Sequence, residues 1–476
     1  MGAVLLLAAD LVALFLAFLC GHKLADQLRE LVGVASRSYA FSDIPELRWG
    51  VYLTIAFGFV LWCWIAKNHY TRRKPFWDEL REVLMGLAIA ALIDAAMMFM
   101  VKLPFSRAAS FSIWMSALLL VPAARRVARG VLERLGRWTL PTLIVGAGEN
   151  AADALAALQS ERALGYKVIG FVSVSGIVAP RVREYCVVHD LIILEGIEHL
   201  DAVIAKRAVG QLVLAIEAEQ MGEQQQWIQR LTLLDTHLVV APPLRGLPLY
   251  GTDTSYFFSH EVLLLRVRNN LARRGPQIVK RLFDIVAVLG GLAILAPLLL
   301  FVAWRIRGDG GPAIFKHKRV GRNGKEFKCY KFRSMVIDSD KRLKALLEAS
   351  AEARAEWEQD HKLKNDPRIT PLGRFIRKTS IDELPQLLNV LRGEMSLVGP
   401  RPIVDAEKAK YGDHLRYYLE ACPGVTGLWQ VSGRNDTDYS RRVMLDTWYV
   451  QNWSLWTDIV ILFKTIRVVL RRDGAY

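Results

Sequence analysis

The stretch FDIVAVLGGLAILAPLLLFVAW, residues 283–304, decides the fold class of this chain. It is almost wholly apolar and long enough to cross a bilayer as a helix. Basic residues flank both of its ends, at 280–281 and 305–307, although the positive-inside rule places such charges on one side of a membrane. Pro297, which follows Ala296, lacks a backbone N–H and would bend the helix. The sequence therefore predicts a re-entrant helix that enters and leaves the membrane on one side. An ordinary span with a tolerated proline is the alternative.

The composition limits the class of protein to which the chain can belong. Its 476 residues are enough for two or three domains. Hydrophobic residues make up 52% of them and the mean hydropathy is +0.21, which indicates membrane segments. The net charge of +15 predicts an anionic partner such as nucleic acid, acidic lipid or a phosphorylated substrate. Nucleic acid is disfavoured, because the sequence has no zinc-finger spacing and no basic region followed by heptads.

The cysteine pattern indicates a protein whose thiols lie in a reducing compartment or in the membrane. The chain has five of them, scattered and without a CxxC pair. This pattern indicates free thiols, and neither a disulfide framework nor a zinc site.

Four more apolar runs of roughly bilayer-spanning length open the chain, at residues 3–20, 49–66, 83–101 and 109–123. Asp10 and Asp94 interrupt two of these runs, so we expect both carboxylates to face the interior of a helix bundle. The loops at 67–76 and 124–137 are basic, which places them on the cytoplasmic side. The amino terminus and everything after about residue 124 are then cytoplasmic.

The stretch PTLIVGAGENAADALAAL (141–158) predicts a strand, a Gly-rich turn and a helix. Further apolar strands at 167–172 and 210–216 extend this to a doubly wound α/β module. Gly146 and Gly148 match the GxGxxA pattern that lets backbone amides hold a pyrophosphate. No acidic ribose-binding residue follows at the usual distance, so a structural or regulatory role is the preferred interpretation over a dinucleotide site.

A pair of adjacent carboxylates, Asp382 and Glu383, stands out in TSIDELPQLLNVLRGEMSLVGPRP (379–402). Ser380 and Glu383 match a capping box, which is the structural alternative. Pro385 argues against that register, since it would fall inside the helix. A helix that starts at Asp382 places the proline in its first turn. One carboxylate could then attack a substrate while its neighbour holds a cation.

Several basic residues occur in motifs on both sides of this pair, and some of them stand next to glycine or proline. They are Lys331, Arg333, Arg374, Arg377, Lys378, Arg401 and Arg434. Each alone could be a solvated surface charge, but arginine forks match phosphate oxygens in a bidentate way. A nucleoside diphosphate-sugar carries two negative phosphates, so Mg²⁺ and arginines are needed before a carboxylate can approach. Together these residues predict phosphoryl transfer at a lipid surface, with an aspartate as covalent nucleophile.

The last segment, WSLWTDIVILFKTIRVVLRR (453–472), combines tryptophans, aliphatic residues and terminal arginines. This pattern suits a helix that lies in the lipid headgroup region. A core helix of a soluble domain is the alternative.

Several motifs in order resemble the bacterial sugar transferase family, the monotopic phosphoglycosyl transferases. They are KRLFD, the Ala-Pro helix, GPAIFKHKRVG, YKFRSM, TSIDELPQLLNVLRGEMSLVGPRP, PGVTGLWQVSGRN and DTWYVQNWSLWTDIVILFKT. The resemblance covers about 278–476. The amino-terminal helices and the α/β module extend it to the whole chain, as in the large subclass of the family, where those parts are not catalytic.

The resemblance implies a role for each site residue. Asp382 would be the nucleophile that forms a phosphosugar-aspartyl intermediate, and Glu383 would hold Mg²⁺. The basic active-site positions of the family fall on Lys331, Arg377, Arg401 and Arg434. The family often has serine before the kinking proline, where this chain has Ala296, which leaves the details of the bend open.

These observations predict three domains and one linker. The domains are a membrane α-helical four-helix bundle (1–138), a Rossmann-like α/β module (139–255) and a monotopic α/β catalytic domain (278–476) with a re-entrant helix at about 282–304. The linker (256–277) joins the second domain to the third. The expected protein is a multi-pass inner-membrane protein with both α/β parts in the cytoplasm, and a homodimer.

The expected reaction transfers hexose-1-phosphate from a UDP-hexose to undecaprenyl phosphate and releases UMP. It would be the first membrane step of O-antigen, capsule or exopolysaccharide synthesis. Galactose is the preferred sugar and glucose the competitor. A nucleotide-sugar oxidoreductase that uses the GAGENA turn and a non-catalytic membrane scaffold are the alternatives.

Overall fold

The computed structural model describes residues 2–31, 46–101, 107–174, 176–196, 200–223, 228, 231, 237–244, 253–256, 263–266, 271, 273–360, 363, 366–433 and 438–471. The chain forms two compact units, Met1–Arg245 and Gly246–Tyr476.

Four long helices begin the first unit, and they coincide with the four apolar runs. They are α1 (Gly2–Leu31), α2 (Glu46–Ile65), α3 (Phe76–Val101) and α4 (Arg107–Arg134). Helix α1 packs along α4, and Gly21 allows this close approach, because a Cβ there would lie 2.4 Å from the Ile113 Cα. Apolar side chains such as Leu92 and Leu119 remain 70% and 75% exposed on the outer faces. Such an outer surface suits lipid and not water.

Buried ion pairs hold the bundle together from inside. Asp10 and Asp94 are fully buried, which confirms the prediction that both face the interior. Arg125 donates to both Asp10 oxygens, Nε to Oδ1 at 2.8 Å and Nη2 to Oδ2 at 2.6 Å, and its Nη1 reaches Glu79 Oε1 at 2.8 Å. Arg48 Nη2 donates to Asp94 Oδ2 at 2.9 Å. Each buried charge is thus paired, as a low-dielectric interior requires.

The rest of the first unit is the α/β module. Its elements are β1 (Leu140–Val145), α5 (Glu149–Ser160), β2 (Tyr166–Ser173), α6 (Pro180–His189), β3 (Ile192–Glu195), α7 (Leu200–Arg207), β4 (Gln211–Leu214), α8 (Ala218–Glu223) and β5 (His237–Val240). The strands form one parallel sheet in the order β3-β2-β1-β4-β5. Ile144 packs into the core on one face of the sheet and Leu143 and Val145 into the core on the other. This confirms the predicted doubly wound arrangement.

The second unit is built around a long helix and several short elements. They are β6 (Asp253–Tyr256), β7 (Leu263–Arg266), α9 (Arg274–Arg307), β8 (Ile314–Val320), β9 (Glu326–Phe332), α10 (Ser339–Ala349), α11 (Ala351–Asp360), α12 (Pro371–Lys378), α13 (Gln386–Arg392), β10 (Ser396–Val398), α14 (Lys408–Tyr411), α15 (Leu415–Glu420), β11 (Gly424–Thr426), α16 (Leu428–Val431), α17 (Tyr439–Gln451) and α18 (Leu455–Arg471). Strands β8 and β9 form an antiparallel hairpin, and β10 and β11 a parallel pair.

Helix α9 contains the stretch that opened the sequence analysis and continues through Pro297. Together with α1 to α4 it makes five described helices that are long and apolar enough to cross a membrane. Val288 in its first half belongs to one hydrophobic cluster with Phe327 of β9, and Val302 in its second half belongs to another cluster with Phe332 of the same strand. Both halves therefore lie on one domain. The opposite face of the helix is apolar and exposed, at Leu282, Val286, Leu289, Ile294, Leu298, Leu300, Phe301 and Trp304.

A buried polar cluster fixes the start of α9 to the domain. Lys280 Nζ donates to Asp458 Oδ2 at 2.6 Å and to the Val398 carbonyl at 3.0 Å. The Tyr449 hydroxyl donates to the other Asp458 oxygen at 2.7 Å. Because Asp458 belongs to α18, this cluster joins the apolar helix to the end of the chain.

Helix α18 is amphipathic. Asp458 and Ile461 are buried against the domain, whereas Phe463, Ile466 and Leu470 are 59%, 56% and 76% exposed. One side of the helix thus packs into the domain core, and the other side is apolar and exposed. That the helix lies in a lipid headgroup layer stays a prediction.

Candidate active site

The acid pair sits in a tight turn between two helices. Helix α12 ends before Ser380, whose φ of 56° lies in the left-handed region and reverses the chain. A single 3-10 turn, Ile381–Glu383, then carries both carboxylates. The α-helical continuation starts only after Pro385, which is the N-cap of α13. The sequence predicted an α-helix that starts at Asp382, but the α-helix starts at Gln386, one turn later. The residues before it form a 3-10 turn with i→i+3 hydrogen bonds, and Pro385 has no N–H to donate to an α-helical bond.

Glu383 is held by a lysine from the hairpin. Lys331 on β9 donates from Nζ to Glu383 Oε1 at 2.7 Å, and both side chains are about one third exposed. The two residues are 52 positions apart in sequence. The structure thus brings together two residues that the sequence analysis assigned to one site.

Asp382 has an unusual acidity for an aspartate. Burial and the neighbouring Glu383 raise the pKa of Asp382 to about 6, whereas Lys331 and Arg377 lower it. A partly desolvated carboxylate is a better nucleophile than a fully hydrated one, and a pKa near 6 leaves it mostly ionised at neutral pH. This is the combination that attack on a phosphate requires.

Arg377 approaches the same carboxylate from α12. Its Nε donates to Ser334 Oγ at 2.8 Å, which orients the guanidinium. Burial lowers the pKa of Arg377, and the charge of Asp382 opposes this shift. Lys331 and Arg377 therefore both act on Asp382 from separate elements.

Arg401 lies in the loop that follows β10, between Pro400 and Pro402. Its guanidinium Cζ lies 5.1 Å from the centre of the Trp429 ring, and Glu383 is one of the charges that act on it. The guanidinium Cζ of Arg442 lies 5.3 Å from the centre of the same ring. Two cations on one indole form a concentrated positive surface beside the acid pair.

Arg442 and Arg319 also place positive charge near Arg401, and the sequence analysis did not include them. Glu407 lies between them, 3.8 Å from Arg442 Nη1 and 3.7 Å from Arg319 Nη1. Arg319 stands in GPAIFKHKRVG, a stretch already recognised, so it could have been included. Arg442 gives no local signal, because it lies inside α17 and only the tertiary fold brings it to Trp429.

Some buried polar atoms near Arg442 have no hydrogen-bond partner within the part of the chain that the structure describes. They are Arg442 Nε and Nη2, the Tyr439 hydroxyl, Trp429 Nε1 and Asp446 Oδ1. Buried polar groups are normally satisfied, so this cluster of unsatisfied donors and one acceptor is unusual and makes Arg442 a candidate for contact with a polar ligand. Burial also raises the pKa of Asp446 to about 7, which weakens its compensation of Arg442 at neutral pH.

The remaining predicted residues are placed differently. Arg333 stabilises the end of α9 and the turn after it. It donates to the carbonyl of Pro312 at 2.9 Å and to that of Ile306 at 3.1 Å, and it forms an ion pair with Asp309. Its assignment as a phosphate ligand stays a prediction. Arg374 and Lys378 are exposed on α12. Arg434 lies outside the described residues.

The site can hold a Mg²⁺ ion only if phosphate oxygens of the substrate supply some of the ligands. Among the described residues there is no group of three or more His, Cys, Asp or Glu side chains able to hold a metal. Mg²⁺ in phosphoryl-transfer enzymes is commonly bound by one or two carboxylates together with substrate phosphates. The adjacent Asp382 and Glu383 satisfy that requirement, with Glu383 as the predicted ligand.

The GAGENA turn belongs to the first unit of the chain, whereas the residues above belong to the second. Gly146 follows β1 with a φ of 123°, and Gly148 is the N-cap of α5. The positions match the expected strand–turn–helix context.

Comparison with known proteins gives a consistent result. The bacterial sugar transferase family model matches residues 275–472, and the model of a CoA-binding domain matches residues 67–242. The chain is 51% identical over 416 residues to the undecaprenyl-phosphate galactose phosphotransferase of Salmonella typhimurium, covering 87% of this chain and 86% of that protein. It is 46% identical over 432 residues to the UDP-galactose-lipid carrier transferase of Erwinia amylovora, covering 90% and 89%.

A third relative bears on the sugar. The UDP-glucose:undecaprenyl-phosphate glucose-1-phosphate transferase of Caulobacter vibrioides is 40% identical over 227 residues, covering 46% of this chain and 79% of that protein. The first two matches extend over nearly the whole chain at high identity, and the matched catalytic region contains the acid pair and its basic neighbours. This chain belongs to the bacterial sugar transferase family.

Proposed function

We propose that this membrane protein transfers hexose-1-phosphate from a UDP-hexose to undecaprenyl phosphate and releases UMP. The observation that carries the proposal is the geometry around Asp382. The 3-10 turn places Asp382 beside Glu383, whose Oε1 accepts from Lys331 at 2.7 Å, and Arg377 is oriented nearby by its 2.8 Å bond to Ser334. The names of the relatives support a sugar donor and a lipid-carrier acceptor.

In the first step, an Asp382 carboxylate oxygen attacks the phosphorus of the sugar-linked phosphate. A bond forms between that oxygen and phosphorus, and the bond to the oxygen that bridges the two phosphates breaks. The electron pair leaves with UMP. Lys331, Arg377 and Arg401 supply the positive charge that lets an anionic nucleophile approach a doubly charged diphosphate.

In the second step, a terminal oxygen of undecaprenyl phosphate attacks the same phosphorus. The bond to Asp382 breaks and the carboxylate is regenerated, so that the product is an undecaprenyl-diphospho-hexose. Splitting the transfer in this way lets the nucleotide leave before the lipid reacts.

A Mg²⁺ ion, held by Glu383 together with substrate phosphate oxygens, would neutralise charge that develops on the diphosphate. Lys331 holds Glu383 Oε1 at 2.7 Å and thereby keeps the second carboxylate oriented beside the nucleophile.

The proposed membrane arrangement is a re-entrant α9 that dips into the cytoplasmic leaflet. Its support is that Val288 and Val302 belong to hydrophobic clusters that include residues of the same strand β9, so that the two halves of the helix share one domain. A helix that spanned the bilayer would carry its ends to opposite sides, about 30 Å apart. The exposed apolar face of α9 would then meet lipid and bring Asp382 to headgroup depth.

Galactose is the proposed sugar, because two relatives with nearly full coverage are named for galactose. Glucose remains the competitor, since the Caulobacter relative is named for glucose. We also propose a bacterial inner-membrane location with both α/β parts in the cytoplasm, and a homodimer. The basic loops at 67–76 and 124–137 support the orientation.

The decisive experiment incubates the purified protein with UDP-galactose or UDP-glucose, Mg²⁺ and undecaprenyl phosphate. Wild type should release UMP and form a covalent sugar-phosphate adduct that mass spectrometry places on Asp382. Asp382→Asn should do neither. Asp405→Asn, which changes an exposed carboxylate elsewhere in the domain, is the matched control. UMP release that survives in Asp382→Asn would refute the nucleophile assignment.

The topology of α9 is tested by Lys316→Cys in a chain without its native cysteines. A membrane-impermeant thiol reagent added to intact cells should leave this position unlabelled, and labelling should appear once the inner membrane is opened. Labelling from outside would mean that α9 spans the bilayer.

A further inference from the structure

The GAGENA turn raises the question of a cofactor, because the matched family model there is described as a CoA-binding domain. In doubly wound folds a cofactor pyrophosphate binds at the turn after the first strand, against the N-terminal amides of the following helix. Here that helix is α5, which begins at Glu149 with Gly148 as its N-cap.

In this chain a carboxylate already occupies the anion position. The backbone N–H of Asn150 donates to Glu217 Oε1 at 2.8 Å. A Cβ added at Gly148 would lie 2.5 Å from the same Glu217 oxygen, so this carboxylate lies directly against the turn. A negative charge at the N-terminus of a helix is stabilised by the helix dipole, as a phosphate would be.

The segment that carries Glu217 is fixed by the sheet. The backbone N–H of Ala215 donates to the Val145 carbonyl at 2.7 Å, and a Cβ at Gly146 would lie 2.1 Å from the Ala215 carbonyl oxygen. The Asn150 side chain donates to the Ile216 carbonyl at 3.0 Å and to the Ala241 carbonyl at 2.8 Å. The turn and the chain after β4 therefore approach at backbone contact, which holds the Glu217 side chain in place against the first amides of α5.

The end of β2 is also unsuited to a nucleotide. An acidic side chain normally binds the ribose hydroxyls at that position. This chain has Ser173 there, which is 1% exposed and donates from Oγ to the Ile177 carbonyl at 3.3 Å.

We infer that Glu217 is a built-in anion that takes the place of a cofactor phosphate, so that this module does not bind coenzyme A or a dinucleotide at the GAGENA turn. The residues present do not fit the cofactor that the family description implies. Glycine is needed at Gly146 and Gly148 for a packing reason, because the turn lies against the chain's own carboxylate and backbone. The inference is independent of the proposed transferase reaction.

The test is hydrogen exchange of the full-length protein in lipid nanodiscs, followed in the peptide 146–152 with coenzyme A or inorganic pyrophosphate. This local readout separates the module from the catalytic domain. Wild type should show no ligand-dependent slowing. Glu217→Ala vacates the anion position, and its exchange should slow about tenfold with a probe at about ten times its Kd. Glu219→Ala, an exposed acid two residues away, should behave as wild type.

A second variant keeps the test decisive. Glu217→Ser replaces the alanine variant if the latter loses exchange protection in β1, and it should show the same gain. Slowing in wild type with either probe would overturn the inference. A folded Ala or Ser variant that gains no response would overturn it as well.

Discussion

Lys331 tests the electrostatic reasoning about the nucleophile most directly. It lowers the pKa of Asp382, against burial and Glu383 which raise it to about 6. Lys331→Gln removes that positive charge and should shift the pKa of Asp382 upward. Lys331→Arg keeps the charge and is the matched control.

The size of the shift follows from the exposure of the pair. An opposite charge at close range typically shifts a carboxyl pKa by about 1–3 units. The Lys331 side chain is 32% exposed, so solvent screening favours the lower end, a shift of about one unit. At about pH 6.5 the ionised fraction of Asp382 would fall from about three quarters to about one quarter. The rate of the first step should then fall about threefold from this cause alone.

The assay is the pH dependence of UMP release in a single turnover without undecaprenyl phosphate. Only the carboxylate form of Asp382 attacks, so the wild-type rate should rise with pH through about 6 and then level off. In Lys331→Gln the rise should be centred about one unit higher, on top of any pH-independent loss from weaker diphosphate binding. At high pH only that constant loss should remain.

Two results would refute this reasoning. The first is a rising limb that stays in place in Lys331→Gln, since it would mean that Lys331 does not act on the titrating group. The second is an equal displacement in Lys331→Arg, which would assign the effect to altered packing and not to charge.

Two more predictions follow from buried charges. Arg442→Lys should raise KM for the UDP-hexose about tenfold, because the shorter side chain loses a charge-assisted hydrogen bond to the substrate. The exposed neighbour Arg441→Lys is the control. A KM for Arg442→Lys equal to that of wild type would show that Arg442 does not contact the substrate. Lys280→Met should lower the free energy of unfolding of the catalytic domain by about 3–5 kcal/mol, because it leaves Asp458 buried without its cation. Chemical unfolding of that variant with a midpoint equal to wild type would contradict this account.

The local patterns of the sequence predicted much of the architecture. The apolar runs located α1 to α4 and α9, and the β-branched stretches located β1, β2 and β4, because periodicity and length depend on nearby residues only. The adjacent Asp382 and Glu383 were found in the same way. The doubly wound class of the α/β module followed from the alternation of strands and helices, whereas the strand order came from the structure.

Which residues distant in sequence contact each other depends on the tertiary structure. Arg333 stands beside Lys331 in one motif, yet Lys331 binds Glu383 whereas Arg333 clasps the turn after α9. Arg442 reaches Trp429 only because α17 folds back on α16.

The GAGENA turn shows the same division. The sequence alone determined that a Gly-rich turn joins β1 to α5, since those glycines and the flanking apolar residues are consecutive. Only the tertiary structure decided that Glu217, 67 residues later, fills the anion position. The physical reason is that backbone conformation is set by neighbours along the chain, whereas the charge that meets a helix N-terminus depends on which strands pair beside it.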